Sequence, residues 1–340
     1  MLQHIVLFCI DRFRGERSIA AIDHLLNGKK TAQTLQDSKW YNVSRLFGTV
    51  PIDRSRLLHI ARQLEANGWI YEVDEHIYRI TSSGKEELRY FVFPPHVDGW
   101  KYMNESSLFW KRFSLLIQTV TNVIYRTPFE PVHRDERIQS FVKRWLFQHK
   151  HMQALVRSLY EEMYGLLSRV EEKEANIFVW RLTTRDRIGW TNEQIAYAIK
   201  EEDVAVWLSF QNVLHFILGT IEKEKETFPL LYSLREQKQI PLTTSAKKTW
   251  DLLKKGYGLE QIAQLRRLKK GTIEDHIVEI ATYVPSFVTT PFLEENKRKR
   301  IIQQAYQLQT NKLRAIKEAL PDVSYFEIRL ALARWEKEDV

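Results

Sequence analysis

A group of basic side chains in the last third of the chain has the chemistry needed to bind phosphate. It consists of Lys254, Lys255, Arg266, Arg267, Lys269 and Lys270. Lysine and arginine neutralise backbone phosphates and release their counterions, so such a group favours a nucleic-acid partner. Two polar side chains that follow, Thr272 and His276, are expected near a DNA groove. We therefore predict a DNA-contact surface here; the alternative is a plain helical bundle that touches no DNA.

Three consecutive helices over residues 247–283 are predicted to position these cations. Apolar residues recur there at helical spacing, namely Leu252, Leu253, Leu259, Ile262, Ala263, Leu268, Ile273 and Ile277. Gly256 is predicted to end the first helix, since glycine adopts the left-handed cap conformation without steric cost. The second helix runs from about Leu259 to Leu265, and the third starts near Gly271. This arrangement is typical of a helix-turn-helix.

The sequence at the start of the third helix differs from that expected of a helix that reads DNA bases. Lys269 stands where a capping serine is common, and Glu274 and Asp275 are acidic. Phosphates repel acidic side chains, although a glutamate can accept a hydrogen bond from cytosine N4. We therefore expect binding directed at the DNA backbone or at DNA structure.

The same residues resemble a known motif. Residues 256–263 read GYGLEQIA, and Leu268, Thr272-Ile273 and His276-Ile277 follow them. Nearer the C-terminus, residues 316–321 read IKEALP and residues 325–329 read YFEIR. Over roughly residues 243–335 this resembles the helix-turn-helix at the C-terminal end of many bacterial RecQ-type DNA helicases. The whole chain, including residues 15–18 and 29–34, is similar to the YpbB family of low-GC Gram-positive bacteria. The resemblance implies a partner or relative of a RecQ-type helicase that lacks the motor.

Residues 1–90 are predicted to form a winged-helix-like domain. Helices are expected over about 18–26, 31–40 and 51–66, followed by two strands rich in β-branched and aromatic residues, 69–73 and 76–80. Arg54, Arg56 and Arg62 lie on the third helix and are candidates for DNA contact. Winged helices also bind proteins, and a solvated helix face is the other interpretation of these arginines.

Residues 91–240 are predicted to form a central, aromatic-rich helical region, and 241–340 the C-terminal helix-turn-helix domain. The central region contains GWTNEQIA at 189–196, which shares G-aromatic-x-x-E-Q-I-A with 256–263, 67 residues later. The helix after it, from Asp203 to Phe210, has no basic residue. If this is a second helix-turn-helix, its third helix is buried or docks on protein; a chance match is the alternative.

The densest basic run is Lys297, Arg298, Lys299 and Arg300. It either binds a phosphate backbone or forms a solvated helix face, as charge runs commonly do.

Composition supports a mainly α-helical protein with a nucleic-acid partner. The net charge is +8, spread along the chain, and glycine and proline are few. The single cysteine, Cys9, excludes a disulfide framework and fits a reducing cytoplasm. The apolar start of the chain is too short to span a membrane, so we expect a buried first helix, Cys9 as a core residue, and no membrane partner.

The sequence contains no phosphate-binding G-x-x-x-x-G-K-[ST] loop and no H-E-x-x-H motif. We expect no catalytic residue, no metal and no cofactor. The first hypothesis is a non-enzymatic DNA-binding accessory of a RecQ-type helicase in DNA repair or recombination. A protein adaptor that docks on the helicase without touching DNA is the second, and a winged-helix transcription regulator is the third.

Overall fold

The computed structural model of the protein describes residues 1–103, 105–149, 151–236, 242–284, 286–308, 310 and 312–333. Within these residues the chain forms nineteen α-helices and one two-stranded sheet. The fold is therefore mainly α, as the composition predicts. Residues 237–241, at the predicted boundary between the central and C-terminal parts, and the C-terminal residues 334–340 lie outside the described part of the chain.

The N-terminal part has the helices and the hairpin of a winged helix. Its elements are α1 (Leu2–Phe13), α2 (Ile19–Leu26), α3 (Ala32–Trp40), α4 (Arg54–Ala66), β1 (Ile70–Asp74), β2 (Ile77–Ile80) and α5 (Ser82–Leu88). The strands are antiparallel, with Ile70 opposite Ile80, and Ser18 forms a bridge to Ile77 on the outer side of β2. The winged-helix and hairpin predictions are thus confirmed, as is the buried first helix with Cys9 inside the core.

Local signals fix the start of α4, which carries the candidate arginines. The Asp53 carboxylate accepts a hydrogen bond from the Arg56 backbone N–H at 2.8 Å and so caps the helix. Leu57, Ile60, Ala61 and Leu64 give α4 one buried face.

The central part is helical throughout. Its elements are α6 (Gly99–Tyr102), α7 (Ser106–Ile124), α8 (Glu136–Phe147), α9 (Met152–Leu167), α10 (Glu172–Trp180), α11 (Asn192–Ile199), α12 (Asp203–Lys223) and α13 (Pro229–Ser233). These helices enclose their own hydrophobic cluster, in which Phe109, Phe113 and Phe178 are almost fully buried.

Helix α12 connects this cluster to the rest of the protein. Val204 and Leu208 on α12 belong to a second, larger cluster, whereas Phe210 and most later apolar residues belong to the central one. Among the described helices, α12 alone is long and apolar enough to cross a membrane, with a mean hydropathy of 1.5 over 18 residues. Because 67% of that window is buried, we interpret α12 as a core helix.

The C-terminal part contains the predicted three helices and a further three. They are α14 (Thr244–Lys254), α15 (Leu259–Arg266), α16 (Lys270–Tyr283), α17 (Glu295–Leu308), α18 (Leu313–Ala319) and α19 (Tyr325–Leu332). Gly256, with φ of 87°, follows α14 and supplies the left-handed turn predicted for it.

The N-terminal and C-terminal parts share one hydrophobic cluster, which contains residues from α1–α4 and from α15–α19. The indole N–H of Trp40 on α3 donates to the carbonyl oxygen of Leu332 on α19 at 3.0 Å. Gln36, one turn earlier, donates to the carbonyl of Arg329 at 3.1 Å. Trp100 stacks on Tyr283 of α16, with ring centroids 4.8 Å apart and planes 10° apart. Helix α3 therefore packs directly on the C-terminal module.

The segments that follow the two related glycines, Gly189 and Gly256, have matching helix lengths and helix ends. Helices α11 and α15 each have eight residues, and each is ended by a left-handed residue, Lys200 (φ 56°) and Arg267 (φ 51°). The next helices, α12 and α16, begin at Asp203 and Lys270. Each of these positions recurs 67 residues later, so both segments are helix-turn-helix units.

Candidate nucleic-acid interface

The turn between α15 and α16 is held by backbone and side-chain signals in the sequence. The Gln261 side-chain oxygen accepts from the Gly258 backbone N–H at 2.8 Å, which fixes the start of α15. Arg267 ends α15 in the left-handed conformation, and Lys269 is the N-cap of α16 without a side-chain cap bond. The first turn of α16 thus has backbone N–H groups and the positive end of the helix dipole available for an anion.

Three exposed cations surround this helix start: Arg267, Lys269 and Lys270. Lys270 also pairs with Glu260 at 3.0 Å, which raises the pKa of Lys270. This ion pair lies fully at the surface, where such pairs contribute little and exchange readily with a phosphate. The turn is the part of the module where charge and helix dipole act together.

The end of α14 supplies two more of the predicted lysines. Lys255 is its exposed C-cap residue, and Lys254 pairs with Asp251 at 3.0 Å. Two exposed lysines that the sequence-based prediction did not include, Lys247 and Lys248, lie on the same helix. Their signal was present in the sequence, because both lie one to two turns before the apolar positions Leu252 and Leu253, in the mainly polar first half of α14.

Two predicted contact residues point into the protein instead. His276 is only 7% exposed, and its Nδ1 lies 2.9 Å from the hydroxyl oxygen of the fully buried Thr249. Arg266 donates to the same hydroxyl and, at 2.9 Å, to the Ser245 carbonyl. Burial lowers the pKa of both His276 and Arg266. The prediction that His276 lies near a groove is wrong, and Arg266 links α15 to α14 rather than extending toward solvent.

Most of α16 is covered by neighbouring helices. From Ile273 onward its buried residues are Ile273, His276, Ile277, Val278, Glu279, Ile280, Ala281 and Tyr283. Asp275 pairs with Arg329 of α19 at 2.6 Å, and Glu279 accepts from the Thr243 hydroxyl at 3.1 Å. Thr272, in the first turn, is half-buried. A helix must present a long exposed face to enter a major groove about 12 Å wide, and α16 presents only its first turn.

The basic run on α17 is largely engaged within the protein. Lys297 pairs with Glu327 at 3.0 Å, Arg298 with Glu295 at 3.2 Å, and Arg300 with Asp322 at 3.0 Å. Lys299 is exposed and has no ion pair within the described residues. Compared with the α15–α16 turn, this run has less charge available for a phosphate backbone.

The arginines of the winged helix are at the surface but lie beside acidic groups. Arg54 and Arg62 are exposed, and Arg56 lies 3.5 Å from Asp203 of α12. The hairpin tip carries Asp74 and Glu75, both exposed. An acidic wing repels phosphate, so this face is less suited to DNA than the α15–α16 turn.

The second helix-turn-helix unit has no comparable surface. Its third helix, α12, is mostly buried and shared between the two hydrophobic clusters. This agrees with the absence of basic residues at its start.

A groove of about 850 Å³ lies beside the C-terminal unit. Its apolar lining includes Trp250, Phe287 and Phe292, and the exposed Tyr257 and Val288 stand at its surface. Charged residues also line it: Glu260, Glu274, Glu327, Lys254 and Lys270. With three carboxylates against two lysines, the groove is slightly acidic. No cluster of three or more potential metal ligands occurs in the described part of the chain.

Comparison with known proteins agrees with this description. A family model described as a helix-turn-helix domain matches residues 245–332. A relative named Protein YpbB, from Bacillus subtilis (strain 168), is 33% identical, with 97% of this chain and 96% of the relative covered. No solved structure matches the chain.

Proposed function

The chain belongs to the YpbB family, and we propose that it is a non-enzymatic DNA-binding protein that contacts phosphates through its C-terminal helix-turn-helix. The observation that carries the proposal is the α15–α16 turn. There Arg267, Lys269 and Lys270 surround the uncapped N-terminus of α16. A phosphate at this position gains both charge neutralisation and backbone N–H donors.

The burial of α16 favours phosphate contacts over base reading. Its side chains from Ile273 onward pack against other helices, and its acidic Asp275 is engaged by Arg329. Phosphate contacts position a protein on DNA without carrying sequence information. We therefore expect a preference for a DNA structure, such as a fork or a single strand, rather than for a base sequence.

We further propose that the protein acts as an accessory of a RecQ-type helicase in DNA repair or recombination. The support is the resemblance of its C-terminal module to the helix-turn-helix of those helicases. The sequence has no phosphate-binding loop of its own, so in this proposal the helicase supplies the motor and this chain supplies a DNA contact.

The test is fluorescence anisotropy of labelled forked, single-stranded and double-stranded DNA, titrated with the purified protein at several salt concentrations. Each neutralised phosphate contributes about −0.9 to the slope of log K against log salt on duplex DNA and about −0.7 on single strands. Binding that weakens steeply with salt is expected. An absence of binding at low salt would refute the DNA-binding proposal.

The groove beside the module favours a second candidate function, a protein adaptor without DNA contact. Its aromatic floor and slight excess of carboxylates fit an apolar side chain flanked by lysine or arginine on a partner protein. In this candidate function the partner is the RecQ-type helicase, and the groove is the docking site.

The adaptor candidate is tested with a purified RecQ-type helicase from the same cell by size-exclusion chromatography with the whole protein. Val288→Glu at the groove is expected to abolish co-elution, since it adds a charge at an apolar contact. Val92→Glu, at an exposed valine elsewhere, is the matched control. Failure of the unmodified proteins to associate would contradict the adaptor candidate and the helicase link together, but would leave DNA binding to be decided by anisotropy.

A further inference from the structure

The boundary between the two hydrophobic clusters contains a second cavity, of about 320 Å³. Gly48 and Thr49 line it from the N-terminal side, and Gly99, Arg181 and residues of α7 and α12 line it from the central side. Ligand pockets of a few hundred Å³ commonly occur at such boundaries between packed units. We propose that this cavity binds a small organic anion: a phosphate or carboxylate group attached to an aromatic ring.

Arg181, at the end of α10, supplies the positive charge. It donates one hydrogen bond to the Asn192 side-chain oxygen, and its Nε is buried without a partner in the described residues. Its guanidinium lies 4.4 Å from the centre of the Phe210 ring. Burial lowers the pKa of Arg181 to about 10, so the group stays charged at neutral pH.

No carboxylate balances this charge inside the cavity. Among the described residues that line it, none is acidic. Glu193, which does not line the cavity, attracts the Arg181 guanidinium from outside it, but burial still dominates and lowers the Arg181 pKa. A desolvated guanidinium with so little compensation is costly for the folded protein. An anionic ligand in the cavity would provide a direct partner.

His215 on α12 supplies a directed donor. It is 2% exposed, and its Nδ1 accepts from the Asp98 backbone N–H at 3.0 Å. The neutral ring therefore carries its proton on Nε2, and this nitrogen is buried without a partner within the described residues. Burial lowers the pKa of His215 to about 3, so the ring remains a neutral donor at physiological pH. Because this nitrogen is fully buried, a small shift of the neighbouring side chains would bring a ligand oxygen to the N–H as its partner.

The N-terminus of α7 completes the polar side of the cavity. Ser106 and Ser107, the first two residues of this nineteen-residue helix, both line it. Glu105, the N-cap residue, makes no side-chain bond to the helix start, because its carboxylate is held by Arg235. The first turn of α7, with its positive dipole end and two serines, thus borders the same cavity as Arg181 and His215.

The remaining walls indicate what is attached to the anion. Trp110, Trp207 and Phe210 line the cavity, and Trp110 meets Phe210 edge to face at 4.8 Å. Aromatic walls favour a planar, apolar group in the ligand. The indole N–H of Trp207 donates to the Thr49 carbonyl at 2.7 Å and so connects the central part to the N-terminal part. A ligand bound in the cavity would contact both parts beside this hydrogen bond.

Isothermal titration calorimetry on the whole protein tests the proposal. The probes are phenyl phosphate, benzoate, inorganic phosphate and the neutral benzyl alcohol. One equivalent of phenyl phosphate or benzoate is expected to bind, and a comparison of the two distinguishes a phosphate site from a carboxylate site. Benzyl alcohol and inorganic phosphate should each bind at least about tenfold more weakly, because benzyl alcohol has no negative charge and inorganic phosphate has no aromatic ring. Equal affinity for either one would overturn the proposal, as would the absence of binding by both aromatic anions at millimolar concentration.

Two variants locate the site. Arg181→Gln is expected to weaken anion binding at least about tenfold, since it removes the one full charge among the described lining residues. Arg185→Gln, an arginine outside the cavity, is the control and should bind normally. If Arg181→Gln does not fold, Ser106→Leu tests the site instead. The leucine side chain fills the cavity while Arg181 stays in place, so this variant should not bind the anion. Unchanged affinity in a folded Arg181→Gln protein or in Ser106→Leu would contradict the assignment.

Discussion

The Nδ1 of His276 lies 2.9 Å from the hydroxyl oxygen of Thr249, and the same hydroxyl accepts a hydrogen bond from Arg266. One buried threonine therefore joins all three helices of the C-terminal unit. Since arginine can only donate, the Thr249 hydroxyl accepts from Arg266 and donates to His276. Two residues that the sequence suggested for DNA contact are in this way part of the core that holds the unit together.

Thr249→Val should destabilise the protein without touching the DNA-contact surface. The change preserves shape but removes the hydroxyl that bonds to both side chains, which leaves the buried His276 Nδ1 with only its longer 3.3 Å contact to Arg266, at a cost of roughly 1–3 kcal/mol in unfolding free energy. Urea denaturation measures this loss. Thr227→Val, at an exposed threonine, should change stability by less than about 0.5 kcal/mol. A folded Thr249→Val protein with weakened DNA binding would show that this network has a direct role at the interface.

Neutralising the α15–α16 turn should weaken DNA binding in a salt-dependent way. We expect Arg267→Gln with Lys269→Gln to reduce the magnitude of the slope of log K against log salt by about 2, since about 0.9 is lost for each phosphate contact on duplex DNA. The control is Lys143→Gln with Arg144→Gln, an equal charge change on exposed positions of α8. If both double variants reduce the slope equally, the binding depends on overall charge and not on this turn.

Trp40→Phe should loosen the contact between the N-terminal and C-terminal parts. It leaves the Leu332 carbonyl without its indole donor, which is expected to cost about 1–3 kcal/mol in unfolding free energy. The midpoint of thermal unfolding measures the effect. Tyr197→Phe, at a side chain that is 89% exposed, should leave the midpoint unchanged. An unchanged midpoint in Trp40→Phe would mean that this hydrogen bond does not stabilise the shared core.

Acid should destabilise the protein through its buried histidines. Burial lowers the pKa of His215 to about 3 and also lowers that of His276, whereas an unfolded histidine titrates near 6.5. The unfolded chain therefore binds more protons below about pH 6.5, so the stability contributed by these groups is present above that pH and lost as the pH falls. Between pH 6.5 and 5.5 His215 should account for a loss of about 1 kcal/mol, and His276 contributes a loss in the same direction.

Urea denaturation at pH 7.5, 6.5 and 5.5 tests this expectation. His215→Gln removes one titrating group and should flatten the pH dependence, whereas His59→Gln, at an exposed histidine, should retain it. Burial raises the pKa of Glu162 and Glu279, which acts in the opposite direction. Because these glutamates affect every variant in the same way, the quantity to compare is the change in unfolding free energy with pH in each variant. An identical pH dependence in His215→Gln and the unmodified protein would contradict the prediction.

The sequence predicts the helices well because their ends are set by local signals. Asp53, Thr191 and Gly256 act on their own helix ends through caps and turns that need no distant partner. The turn cations Arg267 and Lys269 are exposed where the sequence places them, since a turn between two packed helices must face solvent.

What the sequence analysis misses is the packing of distant elements. The contact of α3 with α16 and α19 rests on pairs such as Gln36 with Arg329, 293 residues apart, which no local pattern encodes. One signal for the burial of α16 was present, because its apolar residues after Ile273 form a wide stripe made of Ile277, Val278, Ile280, Ala281 and Tyr283. A wide apolar stripe must pack against other elements, and this favours burial over a groove-reading role.

The long-range contact between Trp40 and Leu332 also bears on biosynthesis. The two residues are separated by 292 positions, and at about 5–20 residues per second a ribosome needs roughly 15–60 s to add that much chain. During this interval the side of α3 that will meet α19 has no partner from its own polypeptide. The N-terminal part of the nascent protein must remain unaggregated with this surface uncovered until α19 has been synthesised, and we expect this interval to favour binding by chaperones that act on the ribosome.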